Sequence, residues 1–305
     1  MEISVVIPTK DRVKFLERVL PTYLMQSEVK EVVVVIDGST DGTREFLDRY
    51  CKDHPSVRYL DNGRNRGTPY TKNRGVEAAR CDYIFIGEDD LELTDGFFAT
   101  LGPHLLGTDA DLICGRNIFR HEQESGEEAI ARTDKLVGPY VNLRRIETET
   151  SMDVGTDKEE LILAAPVLGR AEVFREIKFD EMYEVNFWRE ETDFQLSARE
   201  KGYKLYCCPH AICFNFLIEN DRGGAHATIG FRRLRWTIIN NWRFLKKHDQ
   251  FIGDHFNIGN KYLYITKFAI RWLYVGVIWP PTFARMSRVK RRTQDLLFRP
   301  AGQAR

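Results

Sequence analysis

Neither a GxxxxGKS/T phosphate loop nor a GxGxxG fingerprint occurs in this sequence, so nucleotide hydrolysis and dinucleotide redox chemistry lose their usual support. The six cysteines form no CxxC pair and no dense pattern. They read as reduced thiols, small core residues of a protein in a cytosolic compartment. The opening "MEISVVIPTKDR" lacks a basic segment followed by a long apolar one, so neither a signal peptide nor export by that route is expected. A clean membrane-spanning run is also missing. In "YLYITKFAIRWLYVGVIWPPTFARMSRVKRR", Lys267 and Arg271 interrupt the apolar text and Pro280-Pro281 breaks it. The cleanest piece, Trp272 to Ala284, is too short to cross about 30 Å of hydrocarbon as a helix. Internal repeats and low-complexity tracts are absent.

What is present is a chain of 305 residues, long enough for one large α/β domain or two smaller ones. Its balanced charge is unevenly placed. Residues 222–305 hold 17 Lys/Arg against 3 Asp/Glu, leaving 28 against 42 in the preceding part. An acidic body therefore carries a basic tail.

The first third alternates strand-type and helix-type text. "ISVVIP" is a continuous apolar strand, followed by Phe15, Leu16, Val19, Leu20, Tyr23 and Leu24 on one helical stripe. "EVVVVID" is a second strand, and Ser39-Thr40-Asp41 offers an N-cap for the helix "TREFLDRYCKDH". "VRYLDN", "TPYTKNRGVEAARC" and "DYIFIG" continue as strand, helix, strand. Such repeats with short connections imply a parallel sheet with helices on both faces, and ligands of such sheets sit at the carboxyl ends of the strands. Pro8 to Arg12, Asp37 to Asp41 and Glu88-Asp89-Asp90 all fall at strand ends and so face one cleft. After the strand "DADLICGRNIF", residues 121–160 turn polar, with "HEQESGEEAIARTD" the most loop-like piece. From Phe231 the text is helical and basic.

Three adjacent acids repel one another, and a cation relieves that repulsion. Carboxylate oxygens suit Mg²⁺ or Mn²⁺ held together with substrate phosphates, although the triplet alone reads equally as a solvated loop. Asp37, followed by Gly38, could accept from a base N–H while the glycine lets the backbone approach closely, or could simply belong to a capped turn. "NRGTPYTKNRG", with Arg66, Lys72 and Arg74, could run beside a diphosphate or form a solvated basic helix face.

Taken in order, "SVVIPTKDR", "VVVVIDGSTDGT", "NRGTPYTKNRGVEAARCDYIFIGEDDLEL", "FDEMY" and "EETDFQLSAREKGYKL" closely resemble glycosyltransferase family 2, from Ile3 to about Asn215. Beside the basic helical C-terminal region read from composition, the resemblance implies an α/β fold of GT-A type, a mostly parallel Rossmann-like sheet with helices on both faces. It divides the chain into a nucleotide-sugar-binding half (1–115), an acceptor-binding and base-bearing half (116–230) and the basic aromatic tail (231–305). It further implies transfer from a nucleotide-diphosphate sugar, with a lean to UDP, assisted by Mn²⁺ or Mg²⁺ and inverting in outcome. By position, Thr9 and Asp37 match base and ribose contacts, and Lys72 to Arg74 match a base and phosphate contact region. Glu88-Asp89-Asp90 matches the element that binds ribose and metal, with Glu88, or Gly87 in a four-residue register, in place of the first acid. Asp89 or Asp90 is then the metal ligand. Glu191 matches the carboxylate that deprotonates the acceptor hydroxyl, a role favoured by a pKa raised by neighbouring acids. Asp193 is explained by the helix dipole. Where many relatives supply a late histidine to the metal this chain has Asn215, leaving His210 and His226 as candidates.

The cations of the tail, interleaved with Trp236, Trp242, Trp272 and Trp279, suit an interfacial helical region on anionic lipid; nucleic acid is not an expected partner. The expected acceptor is a lipid-linked saccharide or surface glycan, and the expected location the cytoplasmic face of the cell membrane. A non-catalytic nucleotide-sugar-binding module is the alternative. Nucleotidyl transfer would need a basic glycine-rich loop after the first strand, which "PTKDRVKF" does not supply.

Overall fold

A computed structural model of the chain describes residues 1–121, 123–217 and 230–273. The apolar runs are the strands they promise: β1 (Ile3–Thr9), β2 (Val29–Ile36), β3 (Val57–Asp61) and β4 (Tyr83–Ile86). They pair in parallel in the order β3-β2-β1-β4. Between them run α1 (Val13–Leu24), α2 (Thr43–Asp53) and α3 (Thr68–Ala78). Alternation sorts the side chains. Ile3, Val5 and Ile7 meet Leu16, Val19, Leu20 and Tyr23 of α1 on one face, while Val6 meets Val76 of α3 on the other.

Beyond β4 the sheet becomes mixed. β5 (Leu91–Leu93), α4 (Phe97–Gly107) and β6 (Leu112–His121) lead to a peripheral excursion containing α5 (Gly126–Thr133), the two-residue strands β7 (Val141–Asn142) and β8 (Glu147–Thr148), and β9 (Lys158–Glu159). β10 (Val167–Arg170) then enters antiparallel between β4 and β6, followed by α6 (Ala171–Ile177), α7 (Glu190–Glu200) and β11 (Leu205–Leu217). The nine-stranded sheet is ordered β3-β2-β1-β4-β10-β6-β11-β5, with β9 on β11. β11 lies parallel to β6 but skips register between Cys207 and Ile212.

Two local expectations are corrected. The loop-like piece at 121–134 contains α5, nucleated by a capping box in which the Ser125 hydroxyl accepts from the Glu128 amide and Glu128 accepts from the Ser125 amide. The N-cap of α2 is Gly42, in the left-handed region, while Asp41 just before it accepts from the Thr43 amide at 3.2 Å.

The basic tail, as far as Leu273, forms α8 (Gly230–Lys247), α9 (Asp249–His255) and α10 (Lys261–Leu273). Phe244, Leu245, Ile252, Phe256 and Tyr264 join the core that holds Phe174 and Phe194, so these helices pack against α6 and α7 rather than standing apart from the sheet domain. Among the described residues no helix is long and apolar enough to cross a membrane. Trp279 and most of the run to Ala284 lie outside the described residues.

Candidate active site

A cleft of about 1100 Å³ opens at the carboxyl ends of β1, β2 and β4. Thr9, Asp37, Lys72, Glu88, Asp89, Asp90 and Glu191 all line it, and Arg74 does not. Arg74 instead donates to the Asp61 carbonyl and to Asn62 Oδ1 at 2.6 and 2.7 Å, bracing the turn after β3. Arg66, reached by the same loop, lines the cleft.

Asp37 fixes that loop. Its Oδ1 accepts from Asn62 Nδ2 and the Arg66 amide at 2.9 and 2.7 Å, and its Oδ2 from the Gly67 amide at 2.9 Å. The neighbouring Gly38, at φ +71°, is required twice over, because a Cβ there would lie 2.6 Å from the Asn65 backbone nitrogen.

The acidic triplet forms the floor of the cleft, with a different partner for each acid. Asp89 is engaged through both oxygens: Thr9 Oγ1 donates to Oδ2 at 2.8 Å and Arg12 Nη1 to Oδ1 at 2.7 Å. Arg12 also reaches Asp90 Oδ2 at 2.8 Å. Asp90 keeps Oδ1 without a hydrogen-bond partner among the described residues. Burial would discharge Arg12, but Asp89 and Asp90 outweigh it and hold the guanidinium above its usual range. Burial raises Asp89 to about 6, with Arg12 pulling the other way and Asp90 adding to the rise. Glu88 is the most strained of the three. Burial, then Asp90 and Glu191, push its carboxyl well above the usual range, and only Lys72 opposes them among the largest influences.

Asn215, in the place where relatives were expected to supply histidine, donates Nδ2 to Glu88 Oε2 at 2.8 Å. Position 87 has no room for an acid. A Cβ on Gly87 would lie 2.9 Å from the Tyr23 hydroxyl oxygen, which is buried and bonded to the Glu88 backbone. The missing first acid is thus explained by Tyr23. His210 lies away from the cleft, its ring 5.7 Å from that of His104, and His226 falls outside the described residues.

The opposite wall is the first turn of α7. Lys72, buried, donates to Glu190 and Glu191 at 2.5 and 2.6 Å. Burial disfavours its charge, yet the two carboxylates hold the ammonium above its ordinary value. Glu190 is raised to about 7 by burial, against the pull of Lys72 and with the push of Glu191. Glu191 remains about a third exposed and faces the cleft. Asp193 does more than complement the helix dipole: Tyr183, Lys247 and His248 all contact it at 2.8 to 2.9 Å. That buried hub ties α7 to α8 and α9.

The segment entering α7 carries backbone strain. Val185, Phe187 and Arg189 have φ of +68°, +50° and +77°, a region costly for such residues. The tail helices hold it in place. Asn240 donates to the Glu184 carbonyl at 2.9 Å, Asn186 to Thr237 at 2.5 Å, and Arg189 to Asn241 at 2.8 Å and the Arg145 carbonyl at 2.9 Å. Buried polar residues in an otherwise apolar stripe of α8, namely Thr237, Asn240 and Asn241, were the signal for this role.

The donor set fits a hard divalent ion in a limited way. Such ions take one or two carboxylates together with substrate phosphates. Asp90 offers an unused oxygen at the cleft, while Asp89 is already committed to Arg12 and Thr9.

The sequence profile described as "Glycosyl transferase family 2" matches residues 4–177, more than half of the chain. Among curated proteins, the chain is 27% identical over 179 residues to the glycosyltransferase GlyG of Streptococcus pneumoniae, covering 58% of this chain and 59% of that protein. It is 24% identical over 268 residues to the poly-beta-1,6-N-acetyl-D-glucosamine synthase of Staphylococcus aureus, covering 84% and 58%. The chain thus spans less than two thirds of the length of these relatives. Its fold is similar to that of S. aureus TarS 1–349 in complex with UDP-GlcNAc (TM-score 0.56, 16% identity, 80% of this chain and 67% of that one). It is also similar to the mannosyltransferase PcManGT of Pyrobaculum calidifontis in complex with GDP-Man and Mn²⁺ (TM-score 0.58, 16% identity, 97% and 80%). The mixed, mostly parallel sheet is of GT-A type. With its strand-end acids and the α7 carboxylates gathered on one cleft, the chain belongs to glycosyl transferase family 2.

Proposed function

We propose that this chain transfers a sugar from a UDP-sugar to a glycan hydroxyl, with inversion, using Glu191 as general base. The observation that carries this reading is the meeting of Asp37, the Glu88–Asp90 floor and Glu191 in one cleft. Family membership and the activities named for the relatives support transfer, and the TarS complex with UDP-GlcNAc supports the uridine lean.

Thr9 and the loop fixed by Asp37 would position the nucleoside, and Arg66 borders the path of the diphosphate. Asp90 would hold Mn²⁺ or Mg²⁺ through Oδ1, with Glu88 close behind. When bound, the ion would neutralise the leaving diphosphate. Glu191, held by Lys72, takes the acceptor proton as the hydroxyl attacks the anomeric carbon from the face opposite the diphosphate. The test is a panel of nucleotide sugars incubated with the protein and Mn²⁺, scoring release of nucleoside diphosphate. Binding of a donor without any turnover, with or without acceptor, would instead support the non-catalytic module.

The acceptor is a lipid-linked saccharide or surface glycan, met at the cytoplasmic face of the membrane. Supporting this is the outer face of α10, where Tyr262, Leu263, Ile270 and Leu273 stand exposed beside Lys267 and Arg271, an interfacial composition. Deleting residues 262–305 and following membrane fractionation tests it; unchanged partitioning would sink the idea.

A further inference from the structure

We propose that His104, Asp157 and Cys208 form a zinc site, separate from the donor cleft, that ties α4 and the segment before β9 to the kink in β11. One donor atom from each of the three lies within 4.8 Å of the others, and none of the three lines the donor cleft. They come from a helix, the residue just before β9 and the strand β11, whose Cys207 pairs with Lys158 of β9.

The donor set is right for zinc. Imidazole, thiolate and carboxylate bind it at about 2.0–2.3 Å, which sets donor-to-donor spacings of roughly 3.3–3.8 Å in a tetrahedral shell. The mixture is poor for Mg²⁺ or Ca²⁺, which take oxygen alone. The His210 ring, exposed, stands 5.7 Å from that of His104 and is the nearest further nitrogen ligand. Access exists, because His104 and Asp157 are only partly buried while Cys208 is fully enclosed.

Two further observations separate this cluster from an ordinary His–Asp ion pair. His104 Nδ1 contacts Asp157 Oδ2, while Asp157 Oδ1 is enclosed and, among the described residues, meets no donor apart from the neighbouring Cys208 thiol. A carboxylate oxygen so placed is costly unless a cation or donor meets it. The second concerns the sulfur. β11 loses register between Cys207 and Ile212, and the resulting kink, Cys208-Pro209-His210-Ala211, brings the buried Cys208 sulfur into one cluster with His104 and Asp157. On binding, zinc replaces the thiol proton of Cys208, which leaves to solvent.

The full-length protein, stripped with chelator, reloaded with Zn²⁺ and desalted, is expected to retain one zinc per chain by elemental analysis. With Co²⁺ it should develop a thiolate-to-cobalt charge-transfer absorption, which carboxylates of the donor cleft cannot produce. His104→Gln and Asp157→Asn change partly exposed residues; each should weaken zinc by about 10- to 100-fold in competition with a chromophoric chelator. Cys208→Ser should abolish the cobalt band, and Asp90→Asn should leave both readouts unchanged. Failure of the folded wild-type protein to retain zinc overturns the proposal. So does retention undiminished in His104→Gln and Asp157→Asn, or zinc lost on Asp90→Asn instead.

Discussion

Lys72 reaches Glu191 across 119 residues of sequence, its Nζ 2.6 Å from Oε1. The contact fixes the carboxylate at the cleft while leaving it about a third exposed, as a base that must meet an incoming hydroxyl requires. Glu191→Gln keeps shape and a hydrogen-bonding oxygen for Lys72 but removes the proton acceptor. The expected result is a fall in kcat of about 10²- to 10⁴-fold, with the KM for donor and the melting temperature close to wild type. Steady-state kinetics and a thermal scan read both. A fall carried by donor KM would instead make Glu191 a binding residue.

Lys72 itself is buried between two acids, so its removal has a different signature. Lys72→Met leaves Glu190 enclosed without its counter-charge. Breaking a buried pair in this way costs about 3–5 kcal/mol. Glu190 is already raised to about 7, and losing Lys72 raises it further. As pH falls below that value Glu190 takes up a proton and the uncompensated charge disappears. Urea denaturation should therefore show a larger deficit against wild type at pH 8 than at pH 6; an equal deficit would mean that lost packing, not charge, is responsible.

Much of the fold and part of the site could be read from local text. β1 to β4 and their helices follow from apolar periodicity, because each element buries one face against its neighbour, and strand-end placement was enough to collect Thr9, Asp37 and the triplet, while Glu191, in the first turn of α7, came from the family resemblance. What stayed hidden depends on tertiary contacts. Nothing near Arg12 in sequence shows that it will lie across Asp89 and Asp90, 77 and 78 residues away. Asn215 looked like a missing histidine and is instead the donor that holds Glu88. The basic tail suggested an appendage because charge dominates its composition, but three uncharged polar residues of α8 brace the strained entry to α7. The helix "GEEAIART" was misjudged for a local reason, since its Ser125/Glu128 capping box is visible in the sequence, and so was the N-cap of α2, which falls on Gly42.

Glu88 gives a stability prediction with a definite sign. Its folded pKa stands well above the usual carboxylate range because it is buried among acids. Its contribution to stability is therefore full below its unfolded value of about 4.5, and it is lost as pH rises through the raised folded value. Glu88→Gln, neutral throughout, should melt higher than wild type at pH 8, and the gain should vanish at pH 4. A constant difference at both pH values would place the effect in packing against Asn215.

The two aspartates should separate by what they hold. Asp89 has both oxygens engaged by Thr9 and Arg12, whereas Asp90 has one without a partner among the described residues. Asp90→Asn removes charge from an acid that lines the cleft but leaves Arg12 paired with Asp89. It should raise the Mn²⁺ concentration needed for half-maximal turnover by about tenfold or more, with a small change in melting temperature. Asp89→Asn weakens the buried pair with Arg12 and should lower stability by about 1–3 kcal/mol while shifting the Mn²⁺ midpoint less. Metal titrations and melting curves on the same two proteins give both axes. If Asp89→Asn moves the Mn²⁺ midpoint further than Asp90→Asn, Arg12 must leave Asp89 when the ion arrives, and the ligand assignment reverses.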